Sequence, residues 1–310
     1  MRLIAPLSRR RFLGALGCAI ALGGISSGFG ANWERPVNTK PVPGTGEPLA
    51  VIGMGTWITF NVGTDPLLRD ERTEVLRTFF ELGGELIDSS PMYGSAEAVL
   101  GYGLEKLGYP PDLFAATKVW TSSGAEGPSQ VSESRRLWGV DRFDLLQVHN
   151  LVAWREHLET LFAMKEEGRV RYVGITTSHG RRHKDLEAIM RSQPIDFVQV
   201  TYNAVDREVE SRILPLAVER NIAVIANRPY QGGSLINKVQ RHPLPEWAAE
   251  CGCRNWPELL LKYIVSHPVV TCVIPATTRV EHMRENMGAA TGSLPDAAMR
   301  ERISAYVRDL

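Results

Sequence analysis

Four residues of different chemistry stand at or just beyond the ends of short apolar runs: Asp88, Tyr93, Lys118 and His149. A free phenol ionises at about 10 and is a poor acid at neutral pH. An ammonium beside it favours the phenolate and lowers that value. A carboxylate beside the ammonium keeps it charged and held in place. An imidazole within hydrogen-bond reach orients a carbonyl oxygen and stabilises negative charge growing on it. Together the set suits protonation of an oxyanion as hydride reaches the adjoining carbon. It suits hydrolysis less well. No Ser sits in a GxSxG elbow, no HExxH occurs, and no His/Cys spacing resembles a zinc site, so no metal is expected.

Convergence of these groups requires elements that end in one place. Eight apolar runs read as strands: Leu49–Trp57, Glu85–Asp88, Leu113–Val119, Phe143–His149, Arg171–Thr176, Phe197–Tyr202, Ile222–Asn227 and Thr271–Ile274. Between them, apolar residues recur at three- and four-residue spacing, as in Val75-Leu76-Phe79-Phe80 and Leu158-Leu161-Phe162, which marks one buried helix face. Unbroken strand–helix alternation implies parallel strands with helical crossovers. Eight units in about 250 residues is the size of an α/β protein of the (β/α)8 TIM-barrel class, whose active sites lie at the carboxyl ends of the strands. An open doubly wound sheet would carry GxGxxG after its first strand. Here the chain reads Gly53-Met54-Gly55-Thr56-Trp57, which lacks the third glycine.

The chain has 310 residues, 44% hydrophobic and 23% charged, with a formal net charge of zero. That balance gives no footprint for a nucleic-acid partner. Its basic cluster, Ser8-Arg9-Arg10-Arg11-Phe12-Leu13, precedes an apolar, glycine-rich run to about Gly30. A positive start, an apolar middle and small residues at the end are the layout of an export leader. The arginine pair followed by Phe-Leu resembles the twin-arginine (Tat) signal of bacteria. The expectation is a leader over 1–30 read by the Tat machinery and a periplasmic protein, membrane-tethered where the leader is uncleaved. Residues 31–48, rich in Pro, Gly, Asn and Thr, read as an extended linker or arm outside the core. The barrel is expected over 49–310, with a short helix at Ala297–Leu310 packed outside. Cys251, Cys253 and Cys272 read as small buried apolar residues rather than a disulfide framework.

The stretches Gly53-Met54-Gly55-Thr56-Trp57, Ile87-Asp88-Ser89-Ser90-Pro91-Met92-Tyr93-Gly94, Thr117-Lys118-Val119-Trp120 and Gln147-Val148-His149-Asn150 resemble the aldo-keto reductase superfamily, over residues of about 49 to 290. The resemblance implies an NAD(P)(H)-dependent carbonyl reductase acting reversibly on small aldehydes or ketones. It makes Tyr93 the general acid, with Lys118 lowering its pKa. Asp88 pairs with Lys118, His149 positions the carbonyl, and Trp57 and Trp120 line the substrate pocket. The alternative is an exported cofactor-binding barrel with little catalysis, serving as a binding or partner-interaction module.

By the same resemblance, Thr176, Thr177 and Gln199 face the nicotinamide carboxamide. Asn227 stands where many relatives stack a Tyr on the ring, and Arg228 becomes a pyrophosphate contact. Thr277 and Arg279 would hold a 2′-phosphate, with Glu285 and Asn286 toward the adenine. Ala276 and His282 replace the Lys and Arg of many NADP-preferring relatives, yet Arg279 and Thr277 favour NADP(H) over NAD(H). The segment from about Tyr230 to Arg254 is expected to cover the cofactor or border the pocket.

Overall fold

The computed structural model describes residues 36–310. The expected leader lies outside the described residues. Two short strands, β1 (Thr39–Pro41) and β2 (Pro48–Ala50), pair antiparallel as a hairpin. Eight more follow: β3 (Met54–Gly55), β4 (Leu86–Asp88), β5 (Phe114–Val119), β6 (Phe143–His149), β7 (Val170–Thr176), β8 (Phe197–Thr201), β9 (Ala223–Asn227) and β10 (Val270–Val273). These eight form one parallel sheet in chain order, and an Ile52–Val273 bridge joins its first and last members. The fold is a (β/α)8 barrel.

Helices cover the outside: α1 (Pro66–Glu81), α2 (Ala96–Leu107), α3 (Gly127–Trp138), α4 (Trp154–Glu166), α5 (His183–Ser192), α6 (Ile213–Glu219), α7 (Ser234–Val239), α8 (Trp256–Val265), α9 (Val280–Gly288) and α10 (Ala297–Asp309). Local chemistry sets their starts. Asp65 accepts hydrogen bonds from the amides of Leu67 and Leu68, and Pro66 opens α1. Asn255 caps α8 through the Glu258 amide, and Asp296 caps α10 through that of Met299. Such caps satisfy amides that have no partner inside the helix and contribute about 1 kcal/mol each.

Strand side chains alternate in direction, so one parity fills the barrel and the other meets the helices. Leu86, Phe114, Ala116, Leu145, Tyr172, Phe197, Ala223 and Ile225 form the inner cluster. Ile87, Leu146, Val148, Val173 and Val198 join the helix-facing core. The same inward parity, continued to the strand ends, delivers Asp88, Lys118, Gln147, His149, Thr176, Gln199 and Asn227 to the mouth.

Two readings of the sequence need correction. The run Leu49–Trp57 is not one strand: its start belongs to the hairpin and its barrel strand is Met54–Gly55. Gly53 lies between them at a close approach, where a Cβ would come within 2.8 Å of the Leu86 carbonyl oxygen. The arm is also not free of the core. Val42 and Leu49 are 1% exposed and belong to the inner cluster. The Lys40 ammonium donates to the carbonyls of His267 and Val270. The hairpin thus contributes packing at the barrel end that the apolar side chains alone would leave open. The three described cysteines are buried and free, as expected.

Candidate active site

Parity and register bring the four reactive residues to one mouth. Asp88 ends β4 in register with Ala116 of β5, Lys118 pairs with Gln147 of β6, and His149 pairs with Thr176 of β7. Tyr93 closes a helical turn, Pro91–Tyr93, directly after β4. Ser90 starts that turn, accepting the Met92 amide, and its carbonyl accepts the Tyr93 amide.

Lys118 is fully buried. Its Nζ lies 2.5 Å from Asp88 Oδ2, 2.7 Å from the Ser89 carbonyl oxygen and 5.2 Å from the Tyr93 ring centre. Asp88 Oδ1 accepts from Gln147 Nε2 at 3.0 Å and from Gln199 Nε2 at 2.9 Å. Both carboxylate oxygens are therefore engaged, and Asp88 cannot turn away from the ammonium. Burial disfavours the Lys118 charge, but Asp88 and Tyr93 outweigh it and hold the ammonium above its ordinary value. A buried charge is stable only when paired and hydrogen-bonded in this way.

Tyr93 and His149 meet edge to face with ring centres 5.7 Å apart. Burial, helped by the Asp88 charge, pushes the Tyr93 phenol above its ordinary value, against the pull of Lys118. Lys118 pulls in the direction that the resemblance implies, and burial exceeds that pull. Desolvation wins, and the phenol keeps its proton at neutral pH. Burial, reinforced by Lys118, pushes the His149 imidazole down to about 3, so the ring is neutral. The arrangement offers a protonated phenol, a fixed cation behind it and a neutral imidazole beside it. That is an acid with a hydrogen-bonding partner for one oxygen.

The mouth opens into a cleft of about 610 Å³. Asp88, Tyr93 and His149 line its floor, and Trp57 lines one side. Thr176, Gln199, Asn227, Arg228, Thr277, Arg279, Glu285 and Asn286 line the remainder, so eight of the nine expected cofactor contacts share one surface. The ninth, Thr177, is 2% exposed and does not line the cleft; its carbonyl accepts from Asn227 Nδ2. Trp120 is also not part of the lining. Its N–H and C=O are both bonded by the Gln130 side chain, and its indole stands 42% exposed on the rim.

Several residues of the site had no individual role assigned from the sequence. Gln147 sits two residues before His149, and strand parity alone would have placed it beside Asp88. Ser90 Oγ lies 2.8 Å from His149 Nδ1. Tyr230 Oη donates to Asn286 Oδ1 at 2.7 Å, linking the loop after β9 to α9. Gly232, Gly233, Ile236, Asn237 and Gln240 border the cleft from the segment expected to cover it.

The cofactor half fits a dinucleotide in its donor set. Arg228 faces the cleft; its backbone carbonyl accepts from Asn203 Nδ2 and the Gln231 amide, while its guanidinium has no ion-pair or hydrogen-bond partner among the described residues. Beside it, Gly232 adopts φ of 70°, and a Cβ there would come within 3.5 Å of the guanidinium. Thr277 Oγ1 accepts the Arg279 amide at the start of α9, and Arg72 of α1 fixes the same loop by donating to the Thr278 carbonyl.

The sequence profile of the aldo/keto reductase family matches residues 51–305. The chain belongs to the aldo-keto reductase family. This aldo-keto reductase is 26% identical over 265 residues to methylglyoxal reductase YeaE of Escherichia coli, covering 83% of this chain and 91% of the relative. It is 25% identical to the NADH-specific methylglyoxal reductase of the same bacterium, covering 86% and 99%. Among solved structures, the holo form of an aldo-keto reductase from Bacillus halodurans superposes with a TM-score of 0.72 at 24% identity, covering 87% of this chain and 96% of the other. An enzyme from Klebsiella pneumoniae in complex with NADPH gives 0.72 at 23% identity, covering 87% and 95%. These structural likenesses concern the fold. As a family member the protein is an oxidoreductase.

Proposed function

We propose that this aldo-keto reductase is an NADPH-dependent carbonyl reductase, turning small aldehydes or ketones into alcohols reversibly, with Tyr93 as general acid. The observation that carries the reading is the buried Lys118 ammonium, 2.5 Å from Asp88 and 5.2 Å from the centre of the Tyr93 ring. Thr176, Gln199 and Asn227 would hold the nicotinamide end of the cofactor, Arg228 the pyrophosphate, Thr277 and Arg279 a 2′-phosphate, and Glu285 and Asn286 the adenine. A reduced nicotinamide, when bound, supplies hydride to the carbonyl carbon.

The chain's own groups do the rest. Tyr93 holds the substrate oxygen by its hydroxyl and gives up that proton as charge grows there. Lys118 stabilises the phenolate left behind, and Asp88, gripped by Gln147 and Gln199, keeps Lys118 in place. His149, neutral, donates a hydrogen bond to the same oxygen. Trp57 supplies an apolar wall for the substrate, and two relatives named as methylglyoxal reductases support a small dicarbonyl or aldehyde. Preference for NADPH rests on Arg279 and Thr277, against the loss of cations at Ala276 and His282. Export by the Tat route to the periplasm rests on Arg9-Arg10-Arg11-Phe12-Leu13; recovery of the full-length chain only from the cytoplasm of a Tat-competent host would refute it.

The catalytic assignment is tested by pairing fluorescence titration of NADPH and NADH with turnover of a carbonyl panel. Tyr93→Phe is expected to lower kcat by about 10²–10⁴-fold and leave the NADPH Kd unchanged. Turnover at the wild-type level would refute the acid assignment. NADPH binding by the wild-type protein without turnover of any carbonyl would favour the binding-module alternative.

A further inference from the structure

Ser90 touches both the turn that carries Tyr93 and the His149 ring. It is 0% exposed. Its Oγ accepts the Met92 amide at 3.2 Å, capping the turn that ends in Tyr93, and lies 2.8 Å from His149 Nδ1. We infer that Ser90 is a positioning residue that fixes His149 as the Nε2–H tautomer while capping the turn that carries Tyr93. The inference rests on the carbonyl-reductase reading for its meaning, though not for its geometry.

The donors and acceptors around the hydroxyl decide the tautomer. A serine hydroxyl has one proton to give and two lone pairs to receive. One lone pair takes the Met92 amide. Among the described residues, His149 Nδ1 is the acceptor within reach of the remaining O–H. If Nδ1 carried a proton, Ser90 would accept twice and its own proton would be stranded in a site sealed from water. An orphaned buried donor of this kind weighs roughly 10-fold or more against that tautomer. With Nδ1 accepting, the imidazole proton must sit on Nε2. His149 lines the cleft, and its Nε2 is not among the buried polar atoms that lack a partner. Nε2–H is therefore the face the ring shows to a ligand. Because burial and Lys118 keep the ring neutral down to about 3, the proton on Nε2 comes from tautomer choice, not from a second protonation. An acceptor at Nδ1 is what turns a neutral histidine into a donor toward the substrate oxygen.

The first measurement is the 15N spectrum of the imidazole nitrogens in the full chain labelled at histidine, at neutral pH and without ligand. Nδ1 is expected at the position of a hydrogen-bonded acceptor, with the proton on Nε2. A proton on Nδ1 in the wild-type protein would overturn the inference outright. In Ser90→Ala, Nδ1 loses the acceptor signature and the second tautomer becomes detectable; an unchanged Nδ1 resonance argues against the proposal. The second measurement is a double-mutant cycle. Ser90→Ala is expected to lower kcat/KM by roughly 10- to 100-fold, with the NADPH Kd held within about twofold. In the His149→Gln background the same change is expected to cost no more than about twofold. Equal losses in both backgrounds would mean that Ser90 does not act through His149. If the wild-type protein reduced no carbonyl at all, the function proposed above would fail, while the 15N spectrum would still decide the tautomer.

Discussion

The two halves of the barrel mouth treat charge in opposite ways. From β4 to β6, Lys118 and Asp88 are 0% and 2% exposed, and each polar atom meets another at a fixed distance. From β9 to α9, the Arg279 side chain is 61% exposed beside a 71% exposed Glu281, and the Arg228 guanidinium lines the cleft with no polar partner among the described residues. The first half is complete without a ligand; the second is a set of groups awaiting one. Charges that must shift a proton need a dry, over-determined setting, because small displacements there change energies greatly. Charges that grip an exchangeable anion need to stay hydrated until it arrives.

Substitutions across the two halves should therefore differ in kind. The largest effect is expected for Lys118→Met, which leaves the Asp88 charge buried and unpaired. Breaking such a pair costs about 3–5 kcal/mol, read as a fall in the denaturation midpoint alongside lost turnover. A wild-type midpoint would erase the contrast between the halves. Next comes Arg228→Ala, which removes a charge-assisted contact worth about 1.5–3 kcal/mol. It should weaken NADPH binding while kcat at saturating cofactor and the denaturation midpoint hold. A loss of stability comparable to that of Lys118→Met would show that the loop half is also structural.

A third effect is read through pH. The His149 pKa is held at about 3 in the folded protein against an ordinary 6.5. Between those values the unfolded chain binds a proton that the folded one refuses. Stability is therefore complete above 6.5 and falls as pH drops toward 3, by about 1.4 kcal/mol per unit for one such group. His149→Gln should flatten that acid limb near pH 5.5, and an unaltered limb would place the imidazole in a wetter setting. The smallest effect belongs to Arg279→Ala. An exposed cation contributes about 0.2–1 kcal/mol, so the NADPH-to-NADH affinity ratio should fall by no more than about fivefold. No change in that ratio would remove Arg279 from 2′-phosphate recognition.

The same division governs what could be read from the chain. Run length placed Asp88, Lys118 and His149, because they stand at the ends of apolar runs and the active sites of such barrels lie at strand ends. Tyr93 followed from its spacing after Asp88. The sign of the Tyr93 shift was not legible, because it depends on how burial weighs against Lys118 in three dimensions. The placement of Trp120 was not legible for a related reason. It stands one residue past β5, where the Gln130 side chain, ten positions away, fixes the backbone and leaves the indole at the rim. On the loop side, Arg228 and Gln231 hold positive φ near 52°, and Tyr230 reaches α9. No periodicity encodes such features. The hairpin over 39–50 was hidden because Pro, Gly and Thr dominate it, and its few apolar residues, Val42 and Leu49, bury themselves across a turn.

The ring of strands closes through few bonds. Between the first and last barrel strands stand the Ile52–Val273 bridge and backbone bonds from Gly53, Gly55 and Val273. Arg72 crosses the same gap, tying Thr59 to Thr278. The loop holding Thr277 and Arg279 hangs directly from this joint. Local opening favours places held by few bonds, so a guest seated on that loop would act as a rivet, fastening the wall that carries it.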